Sequence, residues 1–343
     1  MIIVLKPKTS SELERQVIDE IEKLGYAPHI MRGVEHVVIG AIGDERSHHT
    51  LETLTAFPQV ERVMPIQKRH KLVNRQTHPE GSTVPVGDGL AIGGELFHIM
   101  AGPCSVESEA QLMETAHSVR EAGATILRGG AFKPRTSPYD FQGLGEEGLR
   151  LLAKAREETG LKIITELLSE NHVDMVAEHA DILQIGARNA QNFQLLIAAA
   201  KSGKPVLLKR GLSMRIEEWL SAGEYVAATG TAKLMFCERG IRTFEDYTRN
   251  TLDLSAAPIL KQETHCPVVI DPSQGCGRAS LVRALCRGAV AVGADALLIE
   301  VHPDPKEAWS DGSQQLDLKG FADLMRELKP FVEASGRRMA GDA

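Results

Sequence analysis

The chain has few cysteines, no long apolar run and no excess of positive charge, and each shortage removes a class of protein. Only five cysteines, at 104, 237, 266, 276 and 286, stand among 343 residues, an odd number with no C-x-x-C pair. That argues against a disulfide framework and for reduced thiols in a cytoplasm. No apolar stretch nears the ~20 residues needed to span a bilayer. The opening MIIVLKPKTS lacks the basic start and apolar core of a secretory signal. A net charge of −7 argues against a general nucleic-acid binder. The expectation is a cytoplasmic protein with neither a nucleic-acid nor a membrane partner. What is present is ordinary: 43% hydrophobic and 25% charged residues, as in a soluble protein of about two domains.

Residues 1–66 read as a small separate unit. Ile2–Leu5 is a short apolar run. From Ser11 to Leu24 the residues Leu13, Val17, Ile18, Ile21 and Leu24 recur at helical spacing, and Gly25 stops the helix. Strand-like runs follow at 29–31 and 36–41, with a turn at Gly33 between them, then a helical stretch 50–57 and a last strand 60–66. The order β-α-β-β-α-β is the ferredoxin-like pattern. It serves effector binding and simple packing or oligomerisation alike. Residues 67–95 are rich in Gly and Pro and read as a linker that punctuates rather than builds elements.

From residue 96 a different rhythm begins. Short apolar runs recur at 97–100, 124–127, 162–165, 182–185, 206–208, 234–236, 268–270 and 296–299, with helical spacing between them. Strands apolar throughout are buried on both faces, as in a parallel sheet under helices. Eight strand–helix repeats predict a closed (β/α)₈ (TIM) barrel over 96–343. An open doubly wound sheet is disfavoured by the count of eight and by the missing G-x-G-x-x-G.

In such a barrel the chemistry collects at the C-terminal strand ends. Arg128, Lys133, Arg135, Arg188, Lys209, Arg239 and Arg242 stand at or just after four of them. Any one alone suits a solvated rim. Together they would repel one another unless anions lie among them, and Arg forks suit phosphate and carboxylate. A substrate pair with phosphates at both ends fits that spread. Cys104, Glu300 and Asp311 follow the first and eighth strands, which are neighbours in a closed barrel. A thiolate and two carboxylates suit a divalent Mn, Fe or Zn ion, although a cysteine alone is more often a buried small hydrophobe. Asp311, in S-D-G, is alone more often a turn residue.

Taken together, these segments resemble the 3-deoxy-D-arabino-heptulosonate 7-phosphate (DAHP) synthases of the short microbial type with an N-terminal ferredoxin-like regulatory domain. The segments are A-G-P-C-S (101–105), L-R-G-G-A-F-K-P-R-T-S-P-Y-D-F-Q-G-L-G (127–145), I-G-A-R-N (185–189), L-L-K-R-G (207–211), E-R-G-I-R-T (238–243), I-D-P-S (270–273) and I-E-V-H-P (299–303). The resemblance implies condensation of phosphoenolpyruvate with erythrose 4-phosphate, the first step of the shikimate pathway, with a divalent metal. It implies that Arg128, Lys133, Arg188, Lys209 and Arg239 hold phosphoenolpyruvate, with Arg242 and Asp271 also at the substrate. Arg135 and Thr136 would hold the aldose phosphate. Lys133 would protonate the aldehyde oxygen, and Glu166 would bind substrate or water. Cys104, Glu300 and Asp311 would be three metal ligands. The family's fourth ligand, a His after D-P-S, is replaced by Gln274, and an amide oxygen binds transition metals less well than imidazole. Cys276, His265 and His302 lie nearby in sequence. The resemblance further implies a homotetramer inhibited by Tyr or Phe. Two other readings stay open: a related synthase using another phosphorylated aldehyde or no metal, and a non-catalytic ligand- or partner-binding relative. The retained K-P-R-T weighs against the first, and the three retained ligands against the second.

Overall fold

The computed structural model describes residues 1–32, 36–43, 51–64, 70–230 and 233–342. The turn expected at Gly33, the start of the helical stretch at Thr50, the strand end at Ile66 and the linker's opening residues 67–69 lie outside them. The chain divides into two compact units, Met1–Arg69 and His70–Ala343.

In the first unit β1 (Ile2–Leu5), α1 (Ser11–Lys23), β2 (Ala27–Arg32), β3 (Val37–Ile42) and β4 (Val60–Met64) follow in order. The sheet order β2-β3-β1-β4, all antiparallel, is the ferredoxin-like arrangement. Ser10 caps α1 by accepting the Leu13 N–H, as a β-region Ser before a helix does. Val17, Ile18 and Ile21 pack on Ile3, Leu5 and Ile39, whereas Leu13, expected on the same apolar face, stays exposed. The second helical stretch is, at Thr53–Ala56, a 3₁₀ turn.

The supposed linker builds structure. β5 (Val84–Gly87) and β6 (Leu90–Ile92) form an antiparallel hairpin, and Asp88 and Gly89 at its tip take positive φ. Val84, Val86 and Ile92 join the barrel's interior cluster. The alternation V-P-V was masked by Gly and Pro, which here serve the turn and an edge strand rather than breaking the element.

Eight parallel strands follow: β7 (Leu96–Gly102), β8 (Ile126–Arg128), β9 (Lys162–Glu166), β10 (Ile182–Ile185), β11 (Val206–Lys209), β12 (Leu234–Glu238), β13 (Val268–Ile270) and β14 (Ala296–Glu300). β14 pairs with β7 and closes the (β/α)₈ barrel. Each expected run meets one strand, and that at 124–127 begins two residues before β8. A short β15 (Arg338–Met339) adds to the start of β7. Helices such as Glu109–Glu121, Glu146–Thr159 and Leu318–Ala334 surround the barrel.

The strand pleat decides what enters the barrel. Ile126, Ile164, Ile182, Leu207, Met235, Val269 and Leu298 fill the interior, and successive inward residues are two apart. The next inward positions are therefore Arg128, Glu166, Gln184, Lys209, Cys237, Asp271 and Glu300. An apolar plug below and polar groups above, save Cys237, which stays in the apolar cluster, follow from one two-residue step.

Candidate active site

β14 is in register with β7 so that Glu300 lies opposite Gly102. A Cβ on Gly102 would collide with the Arg128 carbonyl oxygen, so only glycine lets β7 and β8 approach there. Cys104 follows two residues later, and its sulfur lies 3.4 Å from Asp311 Oδ2. Asp311 takes the left-handed conformation, φ 49°, which Asp tolerates better than most residues. The ligand atoms of Cys104, Glu300 and Asp311 all lie within 4.8 Å of one another. Three donors of S, O and O character at that spacing fit a divalent transition ion.

Each member is held from outside. Arg128 Nη1 donates to Glu300 Oε1 (2.8 Å), and Gln314 Nε2 donates to Glu300 Oε2 (2.6 Å). Arg249 Nη1 lies 3.1 Å from Asp311 Oδ2. Lys133 Nζ donates to the Cys104 carbonyl (3.1 Å) and sulfur (3.0 Å). Burial, reinforced by the Glu300 carboxylate, pushes the Cys104 thiol up to about 11, against the pull of Lys133. Burial opposes the Lys133 charge, but Cys104 and the nearby carboxylates more than offset it and leave its pKa raised. Asp311 is lowered: burial works against its charge, and Arg249 and Lys133 outweigh burial.

Beside this cluster opens a cleft of ≈ 240 Å³. Lys133, Arg135, Arg188, Lys209, Arg239 and Arg242 line it, with Thr136, Glu166 and Gln274. Lys209 and Arg239 are buried, whereas Arg188 and Arg242 are exposed. Lys209 Nζ donates to Asp271 Oδ2 (2.6 Å) and to Gln274 Oε1 (3.2 Å). Arg135 faces Asp140 at 3.4 Å. A Cβ on Gly186 would overlap the Glu166 carboxylate, so that glycine keeps Glu166 at the cleft. The Nε atoms of Arg128 and Arg239 are buried with no acceptor. A buried guanidinium N–H left unpaired is costly, and an anionic ligand would supply what is missing.

The structure thus brings together every expected site residue, though not all in the cleft wall. Asp271, expected at the substrate, lies beneath Lys209, 1% exposed. It accepts the Gln274 N–H as cap of the short helix Pro272–Cys276. Cys276 turns away and donates to the Arg278 carbonyl. His265 binds Ser82 and the Leu72 carbonyl at the other end of the barrel. His302 accepts the Asp304 N–H at Nδ1, so its Nε2 donates to Glu107. Arg249, Asn250 and Gln314 were not foreseen. They sit in long loops after β12 and β14, where no periodicity or motif marks them, and only the fold carries them to the site.

A closed parallel barrel with a cationic mouth beside a thiol–carboxylate cluster defines a (β/α)₈-barrel enzyme built to hold anions. Residues 72–334 match the DAHP synthetase I family, and residues 1–68 match the DAHP synthase ferredoxin-like domain. The chain belongs to the DAHP synthase family, aldolase-type enzymes of the transferase class. It is 51% identical over 336 residues to the phospho-2-dehydro-3-deoxyheptonate aldolase of Thermotoga maritima, covering 98% of this chain and 99% of the relative. The crystal structure of that Thermotoga protein superposes with a TM-score of 0.93 at 50% identity, over 98% of each chain. A 2-dehydro-3-deoxyphosphooctonate aldolase of Caulobacter vibrioides is 35% identical over 270 residues, 73% of this chain and 91% of the relative. Among the described residues no helix is long and apolar enough to cross a membrane.

Proposed function

We propose that the chain joins phosphoenolpyruvate, erythrose 4-phosphate and water into DAHP and inorganic phosphate, the first step of the shikimate pathway. The observation that carries this reading is the pair of unpaired guanidinium nitrogens, on Arg128 and Arg239, beside the Cys104–Glu300–Asp311 cluster. Arg128, Lys133, Arg188, Lys209 and Arg239 hold the carboxylate and phosphate of phosphoenolpyruvate by charge-assisted hydrogen bonds. Arg135 and Thr136, with Arg242 at the rim, take the aldose phosphate and so set the aldehyde towards the enol carbon. Lys133 carries the proton that the aldehyde oxygen takes up as the carbon–carbon bond forms. Glu166 orients the water that adds at the phosphate-bearing carbon of phosphoenolpyruvate before phosphate leaves. Cys104, Glu300 and Asp311 would hold a divalent ion, Mn, Fe or Zn, whose chemistry is Lewis-acid polarisation of an oxygen. Gln274 stands where the family resemblance places a histidine ligand.

We further assign the ferredoxin-like domain to binding Tyr or Phe, and the whole chain to a cytoplasmic homotetramer. Five free, buried thiols suit a reducing compartment. An unchanged rate under saturating Tyr and Phe would overturn the first assignment, and light scattering at the monomer mass the second.

The test is phosphoenolpyruvate consumption by chelator-stripped protein given Mn²⁺, Fe²⁺, Zn²⁺ or none, with erythrose 4-phosphate and a series of other phosphorylated aldoses. Turnover highest with erythrose 4-phosphate supports the reading. Preference for a longer aldose moves it to a related synthase using another phosphorylated aldehyde, and no turnover with any aldose overturns it.

A further inference from the structure

The side chain of Gln274 bridges the two halves of the site. Its Oε1 accepts from Lys209 Nζ (3.2 Å) and from Arg239 Nη2 (3.4 Å). Its Nε2 donates to Glu300 Oε1 at 3.4 Å. Its backbone is held as well: its N–H is bound by Asp271 (2.9 Å), and its carbonyl accepts from Asn250 Nδ2 (3.0 Å).

The neighbours dictate which amide end goes where. Reversing the amide would set its NH₂ against two cations and its oxygen against a carboxylate, unfavourable at both ends. The end facing Glu300 is therefore NH₂, whose lone pair is delocalised into the carbonyl and is not a metal donor. The one atom of this side chain able to ligate a metal is committed to the cations of the anion pocket.

We propose, resting on the reading above, that Gln274 is not a metal ligand in this enzyme but a positioning residue. The metal is held by three protein groups, Cys104, Glu300 and Asp311. Gln274 instead sets the distance of Lys209 and Arg239 from Glu300 and shares in holding the Glu300 carboxylate. Its loss would therefore loosen phosphoenolpyruvate binding and leave metal affinity almost unchanged. Restoring an imidazole at this position would add a fourth donor of a type that first-row metals favour.

The full-length protein, stripped and titrated with Co²⁺, reports the ion directly through thiolate-to-cobalt charge-transfer absorption. Cys104→Ser is the control that should abolish the band. Gln274→Ala, and Gln274→Leu to preserve volume, are expected to keep the Co²⁺ Kd within about threefold of wild type. Both should raise the KM for phosphoenolpyruvate about tenfold or more. Gln274→His is expected to tighten Co²⁺ at least about tenfold. A tenfold or greater weakening of Co²⁺ in both Gln274→Ala and Gln274→Leu, with the band still lost in Cys104→Ser, would overturn this inference and leave the metal-site reading standing. No charge-transfer band in wild type or in Gln274→His would overturn the metal site itself, and this inference with it.

Discussion

Arg128 and Glu300 form an ion pair of 2.8 Å between side chains that are 5% and 1% exposed, which couples the anion pocket to the metal-type cluster. The two come from β8 and β14, on either side of β7, and each is the last inward residue of its strand. A buried pair of this kind contributes little net stability while intact, but removing one partner strands the other charge.

Arg128→Ala is therefore expected to lower the unfolding free energy by about 3–5 kcal/mol. The double variant Arg128→Ala/Glu300→Ala should cost less than the two single losses summed. Denaturant unfolding at one fixed protein concentration measures the cycle, and simple additivity would show that the pair is uncoupled.

Lys133→Met is expected to reduce kcat by about 10²–10⁴-fold, the usual range for a lost proton-transfer group. The side chain is buried against Cys104, so Lys133→Arg, with a bulkier fork, should restore little. Steady-state kinetics with both substrates varied decides the point. A KM effect without a kcat effect would assign Lys133 to binding alone.

Arg135→Ala should raise the KM for erythrose 4-phosphate by roughly ten- to a hundredfold, the worth of a charge-assisted hydrogen bond. The KM for phosphoenolpyruvate should change far less. The half-buried Arg135 rests 3.4 Å from Asp140, with no hand in the buried Arg128–Glu300 pair. Equal effects on both substrates would mean that the two phosphates share one subsite.

His98 gives the stability a pH dependence. Its side chain is buried and bonded at Nδ1 to Thr125 Oγ1 (3.1 Å), and the Ala91 backbone gives its charged form only weaker support. Burial holds its pKa down at about 4, against 6.5 for an exposed histidine. Between those values the unfolded chain binds a proton that the folded chain refuses, so stability rises with pH there. The contribution is complete above pH 6.5 and is lost as pH falls to 4, up to roughly 3 kcal/mol. Thermal midpoints of wild type and His98→Leu across pH 4–7 test this; parallel curves would exclude His98.

The eight strands were legible because a strand buried on both faces must be apolar throughout, and Val206–Lys209 or Ala296–Glu300 show little else. The charged residue that ends such a run was legible by contrast, since Lys209 and Glu300 are buried charges and a buried charge is kept only where partners or a ligand hold it. The hairpin Val84–Ile92 was hidden, because its glycines and Pro85 resemble a linker until the barrel end needs a plug.

Composition and spacing alone determined that a ring of cations and a thiolate–carboxylate set would meet at one mouth. They could not decide the contacts within it. Arg249 and Gln314 reach Asp311 and Glu300 through loops after β12 and β14, and loop paths carry no period to read. The orientation of the Gln274 amide is likewise a tertiary fact. Its two ends are chemically different, and only the placement of Lys209 and Arg239 on one side and Glu300 on the other selects which end faces which.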